Sequence, residues 1–277
     1  MIIDTHTHFY DPTRPQGVPW PSAEDEFLYR RILPADYRKE AGPEGVTGTI
    51  IVEASAWVED NQWLLDLAVH DSFILGLVGQ LRPSSEEFEQ NLKRFAANPM
   101  FLGLRLGVGA RDDAGYAAAL EQLVAHDLEL DLGAYPASMG DVAFWAARFP
   151  KLRIVLNHLV HVAVTGGMPD PVWIEGLRPL QQHANVFCKV SALVELAEVR
   201  PAPADLAYYT PTLDALWNSF GEERLVYGSN WPVSQRFASY AAVQGLAWRY
   251  FEKKGVHVLE RVFWKNSLAA YKWPNCG

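Results

Sequence analysis

Two histidines separated by one residue, His6 and His8, lie in the opening segment of the chain, and Asp4 precedes them by two positions. Because strand side chains alternate between two faces, a strand here would place Asp4, His6 and His8 on one face. Ionisable groups on an apolar strand are costly to bury unless they act together. Neutral imidazole is the commonest metal ligand, so the spacing predicts at most one divalent ion, best suited to zinc, on His6 and His8. The alternative is that both are core or surface histidines of a strand, with no metal or catalytic role.

Length and composition favour an enzyme with one large core. The chain has 277 residues, of which 49% are hydrophobic and 21% charged, within the range of a single α/β barrel domain. Its formal net charge of −9 argues against nucleic acid and anionic membrane surfaces as partners. We therefore expect a small-molecule substrate, and a homo-oligomer is compatible with the sequence.

Cysteine content and the chain start give an expectation of compartment. The two cysteines are Cys188, within an apolar run, and Cys276, in the tail, so no disulfide framework is expected. Met1 leads directly into the first apolar segment, and no apolar run is long enough to span a bilayer. These features predict a cytoplasmic protein.

Short apolar runs alternate with longer amphipathic stretches along the whole chain. Eight strands are predicted, at 2–8, 47–54, 73–81, 101–107, 128–135, 153–159, 186–193 and 224–231. Helices are predicted at 60–70, 85–97, 112–125, 138–149, 171–183, 204–220, 239–254 and 256–271. Eight such units predict one α/β domain over 1–277, a (β/α)8 TIM barrel. An open doubly wound sheet is the alternative, but no glycine-rich dinucleotide motif follows the first strand. The long connection 9–39, with a predicted helix near 24–31, is a candidate lid.

Polar side chains recur at the predicted strand ends, where barrel enzymes carry their chemistry. Those that we expect to converge there are His6, His8, Glu53, Arg105, His158, Lys189 and Asn230. Gly103 and Gly107 flank Arg105 at same-face positions and would leave room for its guanidinium. For Arg105 and Lys189, a structural ion pair with Glu53 or Asp4 is the alternative.

Two further kinds of residue are candidates for the site. His158 ends an apolar strand and is predicted to be functional, with His161 as a spare candidate. Trp57 and Trp231 follow strand ends, and Trp20 lies in the long first connection. Their flat faces suit a sugar ring or a small organic acid, although packing under loops would explain them equally well.

The order of these motifs resembles the amidohydrolase superfamily, in its branch of lactonase-like metal-dependent hydrolases. The residues that carry the resemblance are DTHTHFYDP at 4–12, GLR at 103–105, NH at 157–158, FCKVS at 187–191, YGSNWPV at 227–233 and NSLAAY at 266–271. The resemblance implies a distorted TIM barrel in which His6, His8 and His158 face the active centre. It also implies that Arg105 and Lys189 contact an anionic or polyhydroxylated substrate.

The strand-eight motif departs from that family at Asn230. The family normally has an Asp there, which is expected to bind metal and to take the proton from the attacking water. An amide cannot be a general base and is a neutral, weaker ligand. A histidine on strand five, frequent in relatives with larger metal centres, is also missing, so the resemblance supports a mononuclear site at most.

Three functions are compatible with this sequence. The favoured one is a metal-assisted hydrolase that opens a lactone of a sugar acid or related organic acid. In that hypothesis His158 or Glu53 replaces the missing Asp as proton acceptor, Asn230 orients substrate or water, and Arg105 and Lys189 hold the substrate. The alternatives are a decarboxylase on the same fold and a non-catalytic binder of sugar acids.

Overall fold

The computed structural model describes residues 1–274, so Cys276 lies outside the described residues. Eight parallel strands form one sheet in chain order. Their bounds are β1 Ile3–Thr7, β2 Gly48–Val52, β3 Ile74–Gly79, β4 Phe101–Gly107, β5 Glu129–Gly133, β6 Ile154–Leu156, β7 Val186–Val190 and β8 Leu225–Tyr227. A bridge between Thr7 and Trp231 brings the ends of β1 and β8 together. The predicted (β/α)8 barrel is confirmed.

Helices follow the strands and cover the outside of the barrel. They are α1 Pro34–Ala41, α2 Val58–Val69, α3 Phe88–Ala96, α4 Ala114–Ala125, α5 Met139–Arg148, α6 Pro171–Gln181, α7 Leu206–Phe220, α8 Tyr240–Glu252, α9 Val256–Glu260 and α10 Asn266–Tyr271. No helix within residues 1–274 is long and apolar enough to cross a membrane.

An apolar cluster fills the barrel interior and closes one end of it. Ile50, Val155 and Val226 are fully buried in this cluster, and Tyr271 and Trp273 from the C-terminal segment pack against it. Burial of this kind stabilises a domain by roughly 25 cal/mol per Å² of apolar surface. The carboxyl ends of the strands are left for the functional site.

The prediction of a helix near 24–31 is wrong, whereas residues 256–271 are helical throughout, as predicted. Residues 24–31 form turns, in which the Asp25 carboxylate accepts a hydrogen bond from the Leu28 amide. The helix begins later, where Pro34 occupies the first turn with its φ already suited to a helix. The predicted helix at 256–271 is divided by a π-helical segment at Arg261–Lys265, which separates α9 from α10.

The alternation of side chains in β1 predicted that Asp4 and His6 share one face, and this prediction is wrong. The Asp4 carboxylate accepts hydrogen bonds from the hydroxyls of Tyr37 in α1 and Tyr240 in α8, at 2.7 and 3.0 Å. The imidazole of His6 lies on the barrel side. The reason is an irregularity in the pairing of β1 with β2 between Asp4 and Thr7, which breaks the period of two.

Three strands end earlier than predicted because non-glycine residues with positive φ turn the chain. After β6, four consecutive residues beginning with His158 have φ between 51° and 56°. Ala192 after β7 and Asn230 after β8 each have φ 58°. Such conformations cost about 1–3 kcal/mol each and concentrate at functional sites. The strain thus marks the rim at which His158 and Asn230 lie.

Candidate active site

Three imidazoles form a cluster at the carboxyl end of the barrel. The ring centroid of His6 lies 5.0 Å from that of His8 and 4.4 Å from that of His158. All three side chains are buried. Burial is the main cause that lowers the pKa of each ring, so the three are neutral at pH 7. The structure therefore brings together the three histidines that the sequence singled out.

A buried chain of polar groups fixes His6 from below. The Lys189 ammonium, fully buried, lies 3.1 Å from Nδ1 of His6 and 2.5 Å from Oδ2 of Asp131. The hydroxyl of Tyr271 donates to the other oxygen of Asp131 at 3.0 Å. Because an ammonium has only donors, it donates to Nδ1, and the proton of the neutral His6 ring is on Nε2. That Nε2 is buried and has no partner among residues 1–274.

His8 is held in the opposite tautomer. Its Nδ1 lies 2.7 Å from the carbonyl oxygen of Val52 at the end of β2, so Nδ1 carries the proton and Nε2 presents a lone pair. Burial, followed by the Arg105 charge, lowers the pKa of His8 to about 3. Trp20 from the long first connection packs edge-on against this ring at 5.3 Å. This segment covers the site on the side of β1.

His158 is positioned by the segment that follows β7. Its Nδ1 lies 2.9 Å from the hydroxyl of Ser191. His161, the spare candidate, lies 5.4 Å from His158 between ring centroids. It bonds to the Ala134 carbonyl through Nδ1 and stacks on Tyr135. His161 therefore supports the wall of the site beside His158.

Glu53 lies in a small cavity under the first connection, together with His8, Arg14, Trp20 and Asp60. Its Oε1 accepts hydrogen bonds from the amides of the two residues that follow it, and Oε2 is buried without a partner among the described residues. Burial raises the pKa of Glu53 to about 8. This carboxyl is therefore mostly protonated at neutral pH.

Arg105 lies at the end of β4 beside the histidines, and its charge contributes to lowering the pKa of His8 and of His158. Among residues 1–274 its guanidinium forms no ion pair with a carboxylate within 4.0 Å. The alternative role of Arg105, a structural ion pair with Glu53 or Asp4, is therefore not observed. The space over Gly103 is filled by the Glu129 side chain, so that glycine accommodates a neighbouring carboxyl group and not Arg105.

Asn230 contacts a carboxylate that the sequence reasoning missed. Its Nδ2 donates to Oε1 of Glu195 at 2.9 Å, and its side chain is also within hydrogen-bonding reach of His8. Oε2 of Glu195 is buried and has no partner among residues 1–274. Burial raises the pKa of Glu195 to about 7.

Two predicted substrate contacts lie deeper than expected. Lys189 is buried in the barrel, and its ammonium already bonds to Asp131 and His6. Trp231 is 1% exposed and packs against Phe9 and Tyr37, because the bridge between β1 and β8 draws it into the core. Trp57, in contrast, is 38% exposed at the start of α2. Of the two tryptophans proposed to bind substrate, only Trp57 presents a surface at the rim.

The residues missed by sequence reasoning are all carboxylates. Glu129 and Asp131 alternate with leucines in β5, a pattern that places both on the barrel side. Glu129 is fully buried and both its oxygens lack partners among the described residues; burial and the neighbouring Asp131 raise its pKa. Glu195 gave no comparable signal because it lies in an irregular segment.

The residues that could supply ligands to a metal ion are His6 and His8. His8 presents the lone pair of Nε2, and its Nδ1 bond to a carbonyl is the usual outer-shell arrangement of a ligating histidine. Nε2 of His6 is an orphaned buried nitrogen, but it can bind an ion only if the ring proton moves to Nδ1, against the Lys189 ammonium. No group of three or more His, Cys, Asp or Glu within residues 1–274 is arranged for a metal. His6 and His8 are therefore the two imidazoles that would hold a divalent ion.

Side chains from six strands converge toward the carboxyl end of one (β/α)8 barrel, which is the arrangement of a barrel enzyme. The chain belongs to the amidohydrolase family, since the family model described as Amidohydrolase matches residues 3–273. It is a hydrolase, as the sequence predicted.

The chain is similar to proteins of this family whose reaction or bound metal is known. An L-fucono-1,5-lactonase from Burkholderia ambifaria is 32% identical over 255 residues, which cover 89% of this chain and 86% of that protein. A second L-fucono-1,5-lactonase, from Burkholderia multivorans, is 28% identical and is matched over 97% of this chain and 95% of its own. A crystal structure of an amidohydrolase from Burkholderia multivorans with bound zinc is 26% identical, with a TM-score of 0.84 over 99% of this chain and 100% of that one.

Proposed function

We propose that this protein hydrolyses the lactone ring of a sugar acid, and that a 1,5-lactone such as that of L-fuconic acid is the first substrate to test. The observation that carries the proposal is the cluster of His6, His8 and His158 beside the Arg105 cation, which pairs with no carboxylate in the described part of the chain. The 32% identity to an L-fucono-1,5-lactonase supports the same reaction.

Arg105 would bind the substrate. Its guanidinium has five donors in a fixed fork, which suit the hydroxyls of a sugar acid and the carboxylate that forms when the ring opens. Trp57 at the rim offers a flat face to the sugar ring. Lys189 would act on the substrate through His6, because its ammonium contacts that ring and Asp131.

His6 would stabilise the oxyanion that develops on the lactone carbonyl. The Lys189 ammonium holds the proton of His6 on Nε2, and this N–H has no protein partner among the described residues. A buried, preorganised donor of this kind typically contributes ~10²–10³ in rate. Asn230 would orient the attacking water or the substrate through its amide.

Glu53 and His158 would exchange protons with the reacting groups. At neutral pH the carboxyl of Glu53 is mostly protonated, so it can donate to the ring oxygen as the C–O bond breaks. His158 is neutral and fixed by Ser191, which leaves its Nε2 for the substrate or water.

His6 and His8 would hold the one divalent ion that the donor set fits, with zinc the best-suited metal for imidazole ligands. Such an ion, when bound, polarises a carbonyl and lowers the pKa of water. Since the same Nε2 of His6 cannot both donate and ligate, the hydrogen-bonded and metal-binding states of His6 exclude each other.

A pH-indicator assay of the purified protein against a panel of sugar-acid 1,4- and 1,5-lactones tests the proposal, with metal content measured in parallel. We expect turnover of at least one lactone, and loss of turnover in His158→Ala but not in His126→Ala, a histidine exposed at the end of α4. Release of CO₂ from an aromatic acid, without lactone hydrolysis, would favour the decarboxylase. Tight binding of sugar acids without turnover would favour the non-catalytic binder.

A further inference from the structure

We propose that Glu195 is the general base of the lactone hydrolysis, and that Asn230 holds its carboxylate in place. This inference rests on the proposed function, which requires a group that takes a proton from water. Glu195 lies in the segment after β7 and meets Asn230 at the end of β8, so it reaches the site from a different element than Glu53.

The contact is built to fix one oxygen and leave the other free. Nδ2 of Asn230 donates to Oε1 of Glu195 at 2.9 Å. Oε2 is buried, although the residue as a whole is only partly so, and has no hydrogen-bond partner among residues 1–274. A buried carboxylate oxygen without a donor is costly. A water molecule that is positioned for attack would supply that donor.

The segment that carries Glu195 is held rigidly. The Arg200 guanidinium donates to the backbone carbonyls of Val194, Glu195 and Ala197, and it packs over the ring of Phe237 at 4.7 Å. These contacts tie three positions of the segment to one side chain. The Glu195 side chain is therefore presented from a preorganised turn, as a catalytic group requires.

A bridge connects the same segment to the residues that follow the strained turn of His158. Val164 and Ala197 pair in a parallel bridge, and Val164 and Glu198 share a backbone hydrogen bond of 2.9 Å. Glu195 thus lies in a segment joined on one side to the residues that follow the turn of His158 and on the other to Asn230. Asn230 in turn reaches His8.

The acceptors suggested by the sequence are less suited to this step. Burial and nearby cations lower the pKa of His158 well below its ordinary value, which makes it a weak base. Burial raises the pKa of Glu53 to about 8, so most of it is already protonated at pH 7. Glu195, with a pKa near 7, is closest to the working pH, at which a general base is most effective.

The step balances without a further reactant. The attacking water transfers one proton to Oε2 of Glu195 while its oxygen bonds to the lactone carbonyl carbon. The tetrahedral intermediate then breaks its bond to the ring oxygen, which takes a proton from Glu53. The product is the open hydroxy acid, and release of the Glu195 proton to solvent and uptake of one by Glu53 restore the site.

The test compares Glu195→Gln with a matched control. Gln keeps the size of the side chain and an oxygen that can accept from Asn230, but it cannot take a proton. We expect kcat on the best lactone to fall by about 10²–10⁴-fold, with KM changed far less and the melting temperature retained. Glu198→Gln makes the same change at an exposed position three residues away and should leave kcat unchanged.

A second variant separates a base from a structural carboxylate. Glu195→Ala leaves space beside Asn230, so added formate should restore part of kcat as its concentration rises, and Glu53→Ala should not respond in the same way. Wild-type turnover in Glu195→Gln, or a loss in Glu195→Ala that formate does not reverse, would overturn the role of Glu195 while leaving lactone hydrolysis intact. A wild-type protein that hydrolyses no lactone would instead overturn the proposed function, and this role with it.

Discussion

The Lys189 ammonium lies 3.1 Å from Nδ1 of His6 while it pairs with the Asp131 carboxylate on its other side. This relationship decides which nitrogen of His6 faces the site and therefore what His6 can do. A lysine without solvent exposure is tolerated here because the Asp131 carboxylate compensates its charge. The chemistry of the first strand thus depends on residues of the fifth and seventh.

Removal of the Lys189 charge should destabilise the protein strongly. Lys189→Met leaves the buried Asp131 without its cation, and breaking a buried pair in this way typically costs 3–5 kcal/mol, about ten times the effect of a surface change. Urea denaturation should show this loss in the free energy of unfolding. Lys93→Met, at an exposed position of α3, should change it by less than about 0.5 kcal/mol. Equal effects of the two substitutions would contradict the buried pair.

Arg105→Met should weaken substrate capture without unfolding the barrel. A hydrogen bond to a charged group contributes roughly 1.5–3 kcal/mol, so kcat/KM should fall by about 10- to 100-fold. Steady-state kinetics on the best lactone measure this. Arg111→Met removes an arginine that pairs with Asp141 at the surface and should leave kcat/KM unchanged. An unaltered kcat/KM in Arg105→Met would remove Arg105 from the site.

Glu53 should make the protein less stable as pH rises. The pKa of Glu53 is about 8 in the folded protein, against an ordinary value of 4.5. Between these values the unfolded chain has released the proton that the folded protein keeps, so stability present below pH 4.5 is lost progressively up to pH 8.

Glu53→Gln should therefore flatten part of the fall in melting temperature between pH 5 and pH 8, as measured by calorimetry. Glu195 and Glu129 also have raised pKa values, so a smaller slope remains. Glu86→Gln, exposed before α3, should leave the slope as it is in the wild type. A slope that Glu53→Gln does not alter would mean that Glu53 is ionised in the folded protein.

An exchange of acid and amide between positions 230 and 195 should show coupling. Asn230→Asp alone places two carboxylates 2.9 Å apart, so their repulsion should lower kcat. Combined with Glu195→Gln, the hydrogen bond re-forms in the opposite direction. We expect the double variant to be at least tenfold more active than the product of the two single effects predicts, as measured in a double-mutant cycle. Simple additivity would show that the two side chains do not act as a pair.

Zinc binding should be weak and should depend on His8. Calorimetric titration of the purified protein is expected to detect at most one ion, because the ligands are neutral nitrogens and Lys189 competes for His6. His8→Ala should abolish the binding heat, whereas His126→Ala should not. Two bound ions, or zinc retained in His8→Ala, would place the metal elsewhere.

Local sequence patterns determined the architecture. Alternating apolar and amphipathic segments predicted all eight strands, because each strand is buried on both faces and each helix buries one stripe. The position of His6, His8 and His158 at strand ends was enough to predict that they meet, since the strands of a barrel share one carboxyl end. Local predictions in short polar segments were less accurate: a helix was predicted near 24–31, and the chain forms turns there.

The tertiary structure alone decided the connections between side chains. An irregularity in β1 directed Asp4 to the tyrosines of α1 and α8. Closure of the barrel set Lys189 of β7 between His6 of β1 and Asp131 of β5, which do not neighbour it in the sheet. Glu195 lies in an irregular segment whose path depends on Arg200 and on positive φ at Ala192. No periodicity constrains such a segment. Its contact with Asn230, 35 residues along the chain, follows from how two loops meet in space, which sequence spacing does not encode.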